Sequence, residues 1–515
     1  MKIIKKQISN EKQLFINTIA SLVVFAANII ISFFVTPYIT ESVGAEAYGF
    51  VGLANNFVNY ATIVTIALNA VAGRFISVEY YKGNKDKASK YLSSVFFSNV
   101  FLAAVLTVVS TFIIINLEKL INISPELVVS VKLLFVFIVL NFLVSIISTV
   151  FSVATFITNK LYLSNTANMI GIIVRVVTLL LLFAKVSTSI YFIGITSLLA
   201  SVIIFLFNIY FTKVLTPDLK ASYKYFSIES IKTLLAAGIW SSITKLSQVL
   251  ADGLDLLISN LFISALSMGQ LSIAKTISTL MGSLLGTISS LFAPNLTLHY
   301  SKGDTTSLVN ELKIGMKFTG FFANIPFCIF IVFGEMFFEL WVPTQDTKTI
   351  YLLAILSIQG VVISGVTTML NNIFLITNKL KVNSLFWLVK SMFDIIIVFT
   401  LLKTTNLGVF AIAGVSTLAG AICNLTFLPL YSSYCLHVKS KVFYDVILRY
   451  LATTIIMFMS IYLVKHFVSL KISWICLFLY GVVSALIGIA VNYIFLLNKN
   501  ERIKLTEKFL KKVRK

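Results

Sequence analysis

Apolar runs of about 20 residues or more recur along the whole chain, parted by short polar connections. No stretch shows the polar–apolar alternation of a membrane-barrel strand. The pattern predicts fourteen helical spans, at roughly 14–39, 49–78, 91–116, 129–154, 163–184, 190–211, 232–261, 268–292, 313–334, 349–373, 383–402, 407–431, 443–464 and 472–496. The expected fold class is therefore an all-α polytopic membrane protein with about 14 transmembrane helices. The first run, which continues to about Ile39, is too long for a signal-peptide core and is expected to be a span. The seventh span breaks the pattern. Between Trp240 and Ser259 it carries Ser241, Lys245, Gln248, Asp252, Asp255 and Ser259. At about 100° per residue these six share roughly 80° of one face. Ionisable groups at that depth are costly unless they face protein or water, so this stripe is the leading candidate for a functional site.

Composition supports the spans. The 515 residues are 58% hydrophobic and only 12% charged, and mean hydropathy is +0.96. The net charge of +21 does not point to nucleic acid, because the basic residues lie in short connections, where they orient spans and meet anionic membrane lipids. With the N-terminus inside, 28 of the 41 Lys and Arg fall on the inner side or in the tail and six on the outer side. Both termini are therefore expected to be cytoplasmic, with 497–515 as a basic tail on the inner leaflet. The four cysteines are scattered, and the three histidines lie far apart near span ends, so neither a disulfide framework nor a metal site is expected. No phosphate loop or catalytic grouping occurs, so no enzyme and no cofactor is expected beyond coupling to H+ or Na+.

The chain repeats itself. Ile157-Thr158-Asn159-Lys160-Leu161 recurs as Ile376-Thr377-Asn378-Lys379-Leu380, an offset of 219. An offset of 220 aligns Gly49 with Gly269, Ala54 with Ala274, Tyr80 with Tyr300 and Gly83 with Gly303. It also sets Ser21, Asn28 and Ser32 against Ser241, Gln248 and Asp252. The reading is two parallel six-helix bundles, 1–211 and 232–431, joined by a cytoplasmic linker at 212–231. Two extra helices follow at 432–496. Residues 212–231 and 432–442 read as natural hinges. Transporters built from parallel repeats place their substrate between the halves.

Apart from residues counted at the span mouths, seven basic residues are embedded: Arg74, Lys132, Arg175, Lys245, Lys275, Lys317 and Lys390. On the same footing, three acids accompany them, Asp252, Asp255 and Asp394. Buried charges normally pair, so a cationic surplus implies a water-filled vestibule or an anionic partner that arrives later. Arg74, Lys132 and Lys317 are near span ends, where a long side chain reaches the interface. Lys390 and Asp394, four residues apart, are placed to neutralise each other. The expected cationic site comprises Arg175, Lys245, Lys275, Lys390 and Arg74. Asn28, Asn59, Asn69 and Gln248 are expected to line it, and Asp252, Asp255 and Asp394 are the ion-coupling candidates.

With these features the chain resembles the multidrug/oligosaccharidyl-lipid/polysaccharide exporter superfamily, and within it the bacterial polysaccharide-biosynthesis (Wzx-like) flippases. The resemblance rests on Asn17, on the Gly44–x₃–Tyr48–Gly49 turn, and on Arg74-Phe75-Ile76-Ser77. Asp255-Leu256-Leu257-Ile258-Ser259 before Gly269–x₄–Ala274, and Glu339-Leu340-Trp341, also fit. The chain departs from the commoner form in Ser267-Met268-Gly269, where Gly-x-Tyr is frequent. Its fourteen spans resemble lipid II flippases more than the usual twelve-helix form. The resemblance implies a MATE-like pair of bundles around a cavity that opens alternately to each side of the bacterial cytoplasmic membrane. It implies an undecaprenyl-pyrophosphate-linked glycan as substrate; glycosyltransferases and a polysaccharide polymerase are the expected partners, and a monomer is the expected state. A multidrug/cation antiporter would want an acidic, aromatic cavity, against the basic surplus. A membrane glycosyltransferase or polymerase would want a substantial outer loop, and no connection is long enough.

Overall fold

The computed structural model describes residues 10–467, 472–499 and 501–503, which form helices and turns without a strand. In chain order the helices are α1 (Asn10–Tyr81), α2 (Lys85–Ile115), α3 (Leu117–Leu120), α4 (Val128–Ile157), α5 (Leu161–Lys185) and α6 (Tyr191–Leu215). Then come α7 (Ile228–Gln248), a π-helical segment (Val249–Gly253), α8 (Asp255–Phe262), α9 (Ala265–Ser301), α10 (Thr305–Trp341) and α11 (Thr347–Thr367). The last are α12 (Asn371–Ile376), α13 (Leu380–Thr404), α14 (Val409–Leu436), α15 (Lys441–Phe467) and α16 (Trp474–Val491).

Among the described residues thirteen helical stretches are long and apolar enough to cross a membrane. The first does so twice. Helix α1 has 72 residues, a length of about 108 Å if straight, against roughly 30 Å of hydrocarbon. Gly44 interrupts it at φ 84°, a conformation that glycine adopts without strain. Thr36 Oγ1 lies 3.3 Å from Tyr48 Oη, whereas twelve residues of straight helix would hold their backbones about 18 Å apart. The chain therefore doubles back at Gly44, and fourteen crossings result, as the hydropathy pattern predicts.

The internal repeat is written into the turns. Asn159 and Asn378 both adopt the left-handed conformation, at φ 54° and 55°. Each is flanked by the same hydrogen bonds: Lys160 N–H reaches the Thr155 carbonyl at 2.8 Å, and Lys379 N–H reaches that of Phe374 at 3.0 Å. Gly83 and Gly303, also left-handed, close matching helix ends on Tyr80 and Tyr300. Gly49 and Gly269, equivalent in the repeat, meet each other so closely that a β carbon on Gly49 would come within 2.8 Å of the Gly269 backbone. Gly52 and Ser272, the next equivalent pair, are in contact as well.

The chain packs as two compact units, Met1–Ser272 with Ser384–Ile395, and Ile273–Asn383 with Ile396–Lys515. The division cuts α9 and α13 and does not fall at 212–231. That segment, expected to be a hinge, is tied down. Ser93 Oγ donates to the Lys220 carbonyl (2.9 Å) and accepts from Ser222 N–H (3.1 Å). Ser94 and Ser227 exchange a like pair of bonds at 3.1 and 3.0 Å. Lys85 forms an ion pair with Asp218, and Leu219 joins a core with Leu92, Val95, Val153 and Leu234. A segment whose backbone groups and apolar side chain are taken up by its neighbours is a strap, not a free joint.

In the second unit the extra helices are fastened to α10. Asn324 and Asn492 exchange amide hydrogen bonds at 2.9 and 3.0 Å. Lys317 Nζ donates to both carboxylate oxygens of Glu501 at 2.7 Å. Tyr450 Oη donates to the Val362 carbonyl at 2.8 Å, with its ring against Gly320. Where lipid is as apolar as the helices, such polar contacts and close glycine packing hold helices together. Glu501 lies in the tail, whose residues 504–515 lie outside the described residues.

Candidate functional site

The seventh span is not one helix. Helix α7 starts at an N-cap, with Ser227 Oγ accepting from Ser230 N–H at 3.3 Å, and runs to Gln248. There the hydrogen bonding widens: Leu254 N–H donates to the Val249 carbonyl, five residues back, at 3.1 Å. Helix α8 restarts at Asp255. The Gly253 carbonyl at the break accepts from Asn56 Nδ2 at 2.9 Å and from Tyr60 Oη at 2.7 Å. A main-chain carbonyl at membrane depth needs such partners, since leaving one unmade costs about 1–3 kcal/mol.

The break corrects the single polar stripe expected from Trp240 to Ser259. One extra residue in a turn offsets everything downstream by about 100°. Upstream of the restart, Gln248 and Asp252 are exposed and Lys245 is half-buried. Beyond it, Asp255 is 4% exposed and Ser259 fully buried. The 100° periodicity assumed an unbroken α-helix, and the π turn removes that condition.

The second arm of α1 faces α7 along a polar and small-residue seam. Lys245 Nζ donates to Asn59 Oδ1 at 3.1 Å. Ser242 Oγ donates to the Ile63 carbonyl at 2.8 Å. Gly238 sits against Ala67 so tightly that a β carbon there would fall 1.8 Å from the Ala67 oxygen. Asn56, Asn59, Tyr60, Ile63 and Ala67 recur at helical spacing on one face. The Lys245 ammonium is thus held by a neutral amide that satisfies one of its three donors and none of its charge.

The other predicted residues are placed as follows. Arg175, on α5, is exposed, as is Arg74 near the end of α1. Asn28 is exposed and donates to its own helix at Val24. Asn69 exchanges amide hydrogen bonds with Asn99 of α2 at 3.2 and 2.9 Å, which ties α1 to α2. Lys275 is half-buried on α9, in the second unit.

Lys390 and Asp394 form an ion pair of 2.6 Å with both side chains buried. The Lys390 ammonium also lies 5.9 Å from the centre of the Trp387 ring. This stretch of α13 packs on α7, since Ser391 Oγ donates to the Ser247 carbonyl (2.8 Å) and the hydroxyls of Thr244 and Ser384 lie 2.8 Å apart.

Three embedded cations thus have carboxylate partners. Lys390 has Asp394, Lys317 has Glu501, and Lys132 has Glu118, whose carboxyl it holds below its ordinary range. Glu118 and Glu501 lie outside the spans, so a count of charges within them misses both. Sequence reasoning also missed Asn56, Tyr60 and Gly253. The available signal was a glycine inside a predicted helix and a polar i, i+3, i+4 set around Asn59.

Three comparisons bear on this arrangement. Residues 14–295 match a protein-family model described as "Polysaccharide biosynthesis protein". EpsK of Bacillus subtilis (strain 168), an uncharacterized membrane protein, is 29% identical over 500 residues, which cover 96% of this chain and 98% of EpsK. A structure of the lipid II flippase MurJ in an inward closed conformation has a TM-score of 0.67 at 18% identity, covering 93% of this chain and 98% of that one. An inward-facing multidrug-resistance MATE transporter of the MOP superfamily has a TM-score of 0.66 at 12% identity, covering 83% and 96%. At these identities the two structures establish a shared fold.

Proposed function

Because the chain belongs to the polysaccharide biosynthesis protein family, and is a multi-pass membrane protein of transporter fold, we propose that it is a flippase for an undecaprenyl-pyrophosphate-linked oligosaccharide. It carries the repeat unit from the inner to the outer leaflet of a bacterial cytoplasmic membrane by alternating access. Both termini are cytoplasmic, and the glycosyltransferases that build the glycan and the polymerase that extends it are its partners in the pathway.

The observation that carries this reading is Lys245, an embedded ammonium whose described contact is the neutral amide of Asn59. Together with Arg175 of α5, it is suited to a dense anion. Pyrophosphate oxygens form charge-assisted bonds about twice as strong as neutral ones, and guanidinium matches their geometry in two-pronged fashion. Lys245 would exchange a neutral partner for a charged one on binding. Neutral side chains such as Asn28, Asn59 and Gln248 suit sugar hydroxyls. Lys390, paired with Asp394, is better suited to balancing charge than to receiving substrate. Coupling to H+ or Na+ would fall to the exposed Asp252, to Asp394 or to the buried Asp255. Support for a lipid-linked cargo also comes from the fold shared with a lipid II flippase.

The test is to neutralise Arg175, Lys245 and Lys275 singly to Gln and measure surface polysaccharide alongside protein level in the membrane. Export should fall about tenfold or more with each while the protein remains, as expected for loss of a charge-assisted contact. Normal export by all three variants would sink the cationic-site reading.

A further inference from the structure

Asn56 and Tyr60 do not belong to the cationic site, yet both spend their hydrogen-bonding groups on one main-chain oxygen, that of Gly253. They stand on the face of α1 that also presents Asn59 to Lys245. One helix face thus meets the seventh span twice, at its cation and at its break. The conformation held there carries a cost in α8. It buries Asp255 and leaves the hydroxyl of Ser259 enclosed without a hydrogen-bond partner, and enclosing an unpartnered polar group is unfavourable. An unbroken helix would relieve this. At about 100° per residue, Ser259 would then lie about 20° from the exposed Gln248, and Asp255 about 20° from it on the other side. What opposes that rewinding is the pair of donors on the Gly253 carbonyl, an oxygen that a continuous α-helix would engage internally.

We propose that Asn56 and Tyr60 are positioning residues that hold the seventh span in its broken form. They thereby decide which of its polar side chains are exposed: Asp252 when the clamp is made, Asp255 and Ser259 as well when it is released. Asn59 lies between them in sequence and holds Lys245. Withdrawal of that ammonium by an anion loosens the same helix face that clamps the break, so occupancy of the cation and exposure of the acid are linked through α1. This consequence for transport rests on the flippase reading; the clamp itself does not.

The experiment separates the two. In a background with Cys328, Cys423, Cys435 and Cys476 replaced by Ser, single cysteines at Ser259 and Gln248 are labelled with a small maleimide in membranes. The Gln248→Cys variant is labelled throughout, since it precedes the break. The cysteine in Ser259→Cys is protected in the parent and gains about tenfold or more in labelling rate when Asn56→Leu and Tyr60→Phe are combined, the shift expected on losing two ordinary hydrogen bonds. Should the pair fail to accumulate, Tyr60→Phe alone is read the same way with a smaller gain. Surface polysaccharide, measured in parallel, falls with the clamp lost although Lys245 and Arg175 are intact. Protection of the cysteine in Ser259→Cys that persists in these variants overturns the clamp, whether export survives or not. A gain in labelling with unchanged export leaves the clamp standing and removes its role in transport.

Discussion

Lys317 is the embedded cation whose role the structure changes most, and Glu501→Gln tests it. The ammonium side chain is 7% exposed and its carboxylate partner 29%, and both carboxylate oxygens are engaged at 2.7 Å. Removing one member of a buried pair typically costs about 3–5 kcal/mol, because the other charge stays behind unpaired. Water reaches part of Glu501, so the expected cost is about 2–3 kcal/mol. Removing both charges with Lys317→Met and Glu501→Gln leaves nothing stranded and should lie within about 1 kcal/mol of the parent. The coupling between the two sites is then about 2 kcal/mol. The midpoint of unfolding by sodium dodecyl sulfate in mixed micelles, followed by tryptophan fluorescence, measures all four corners of the cycle. Export should survive in the double variant, because Lys317 serves the anchoring of the tail and not the substrate. The reasoning fails if Glu501→Gln costs no more than about 0.5 kcal/mol, the value of an exposed pair. It fails equally if the double variant is as unstable as the single one, or if it folds but does not export.

Two further outcomes follow from the packing and the topology. Gly238→Ala places a methyl group 1.8 Å from the Ala67 oxygen, so α7 must move off α1, and unfolding midpoint and export should both fall. Gly286→Ala, in open space within α9, should be neutral or stabilising by up to about 1 kcal/mol in the same assays, and equal effects at both positions would refute the packing argument. A cysteine at Ser42 should react with an impermeant reagent from outside intact cells and one at Lys85 only after permeabilisation. The reverse pattern would overturn the inside placement of the N-terminus.

The architecture was legible along the chain because a bilayer leaves few choices. Every span must be long, apolar and internally hydrogen-bonded, so hydropathy alone marks the crossings. The repeat was legible because the same turn needs the same residues: Asn159 and Asn378 take up one left-handed conformation with one set of hydrogen bonds. The cationic excess was legible in sum but not in place. Lys132 and Lys317 find their carboxylates in residues 14 and 184 positions away, beyond the spans, and no periodicity reports that.

The seventh span marks the limit. Its polar residues and their spacing are properties of the sequence, and they predict one face on the premise of a regular helix. Whether the helix stays regular depends on one carbonyl, that of Gly253, and on the donors Asn56 and Tyr60 brought to it from almost 200 positions earlier. The sequence by itself determined that this protein crosses the membrane about fourteen times in two related halves and carries charge within them. The tertiary structure alone decided which charges are already matched and which acid is exposed, because a helix can exchange its internal hydrogen bonds for a neighbour's only once that neighbour is in place.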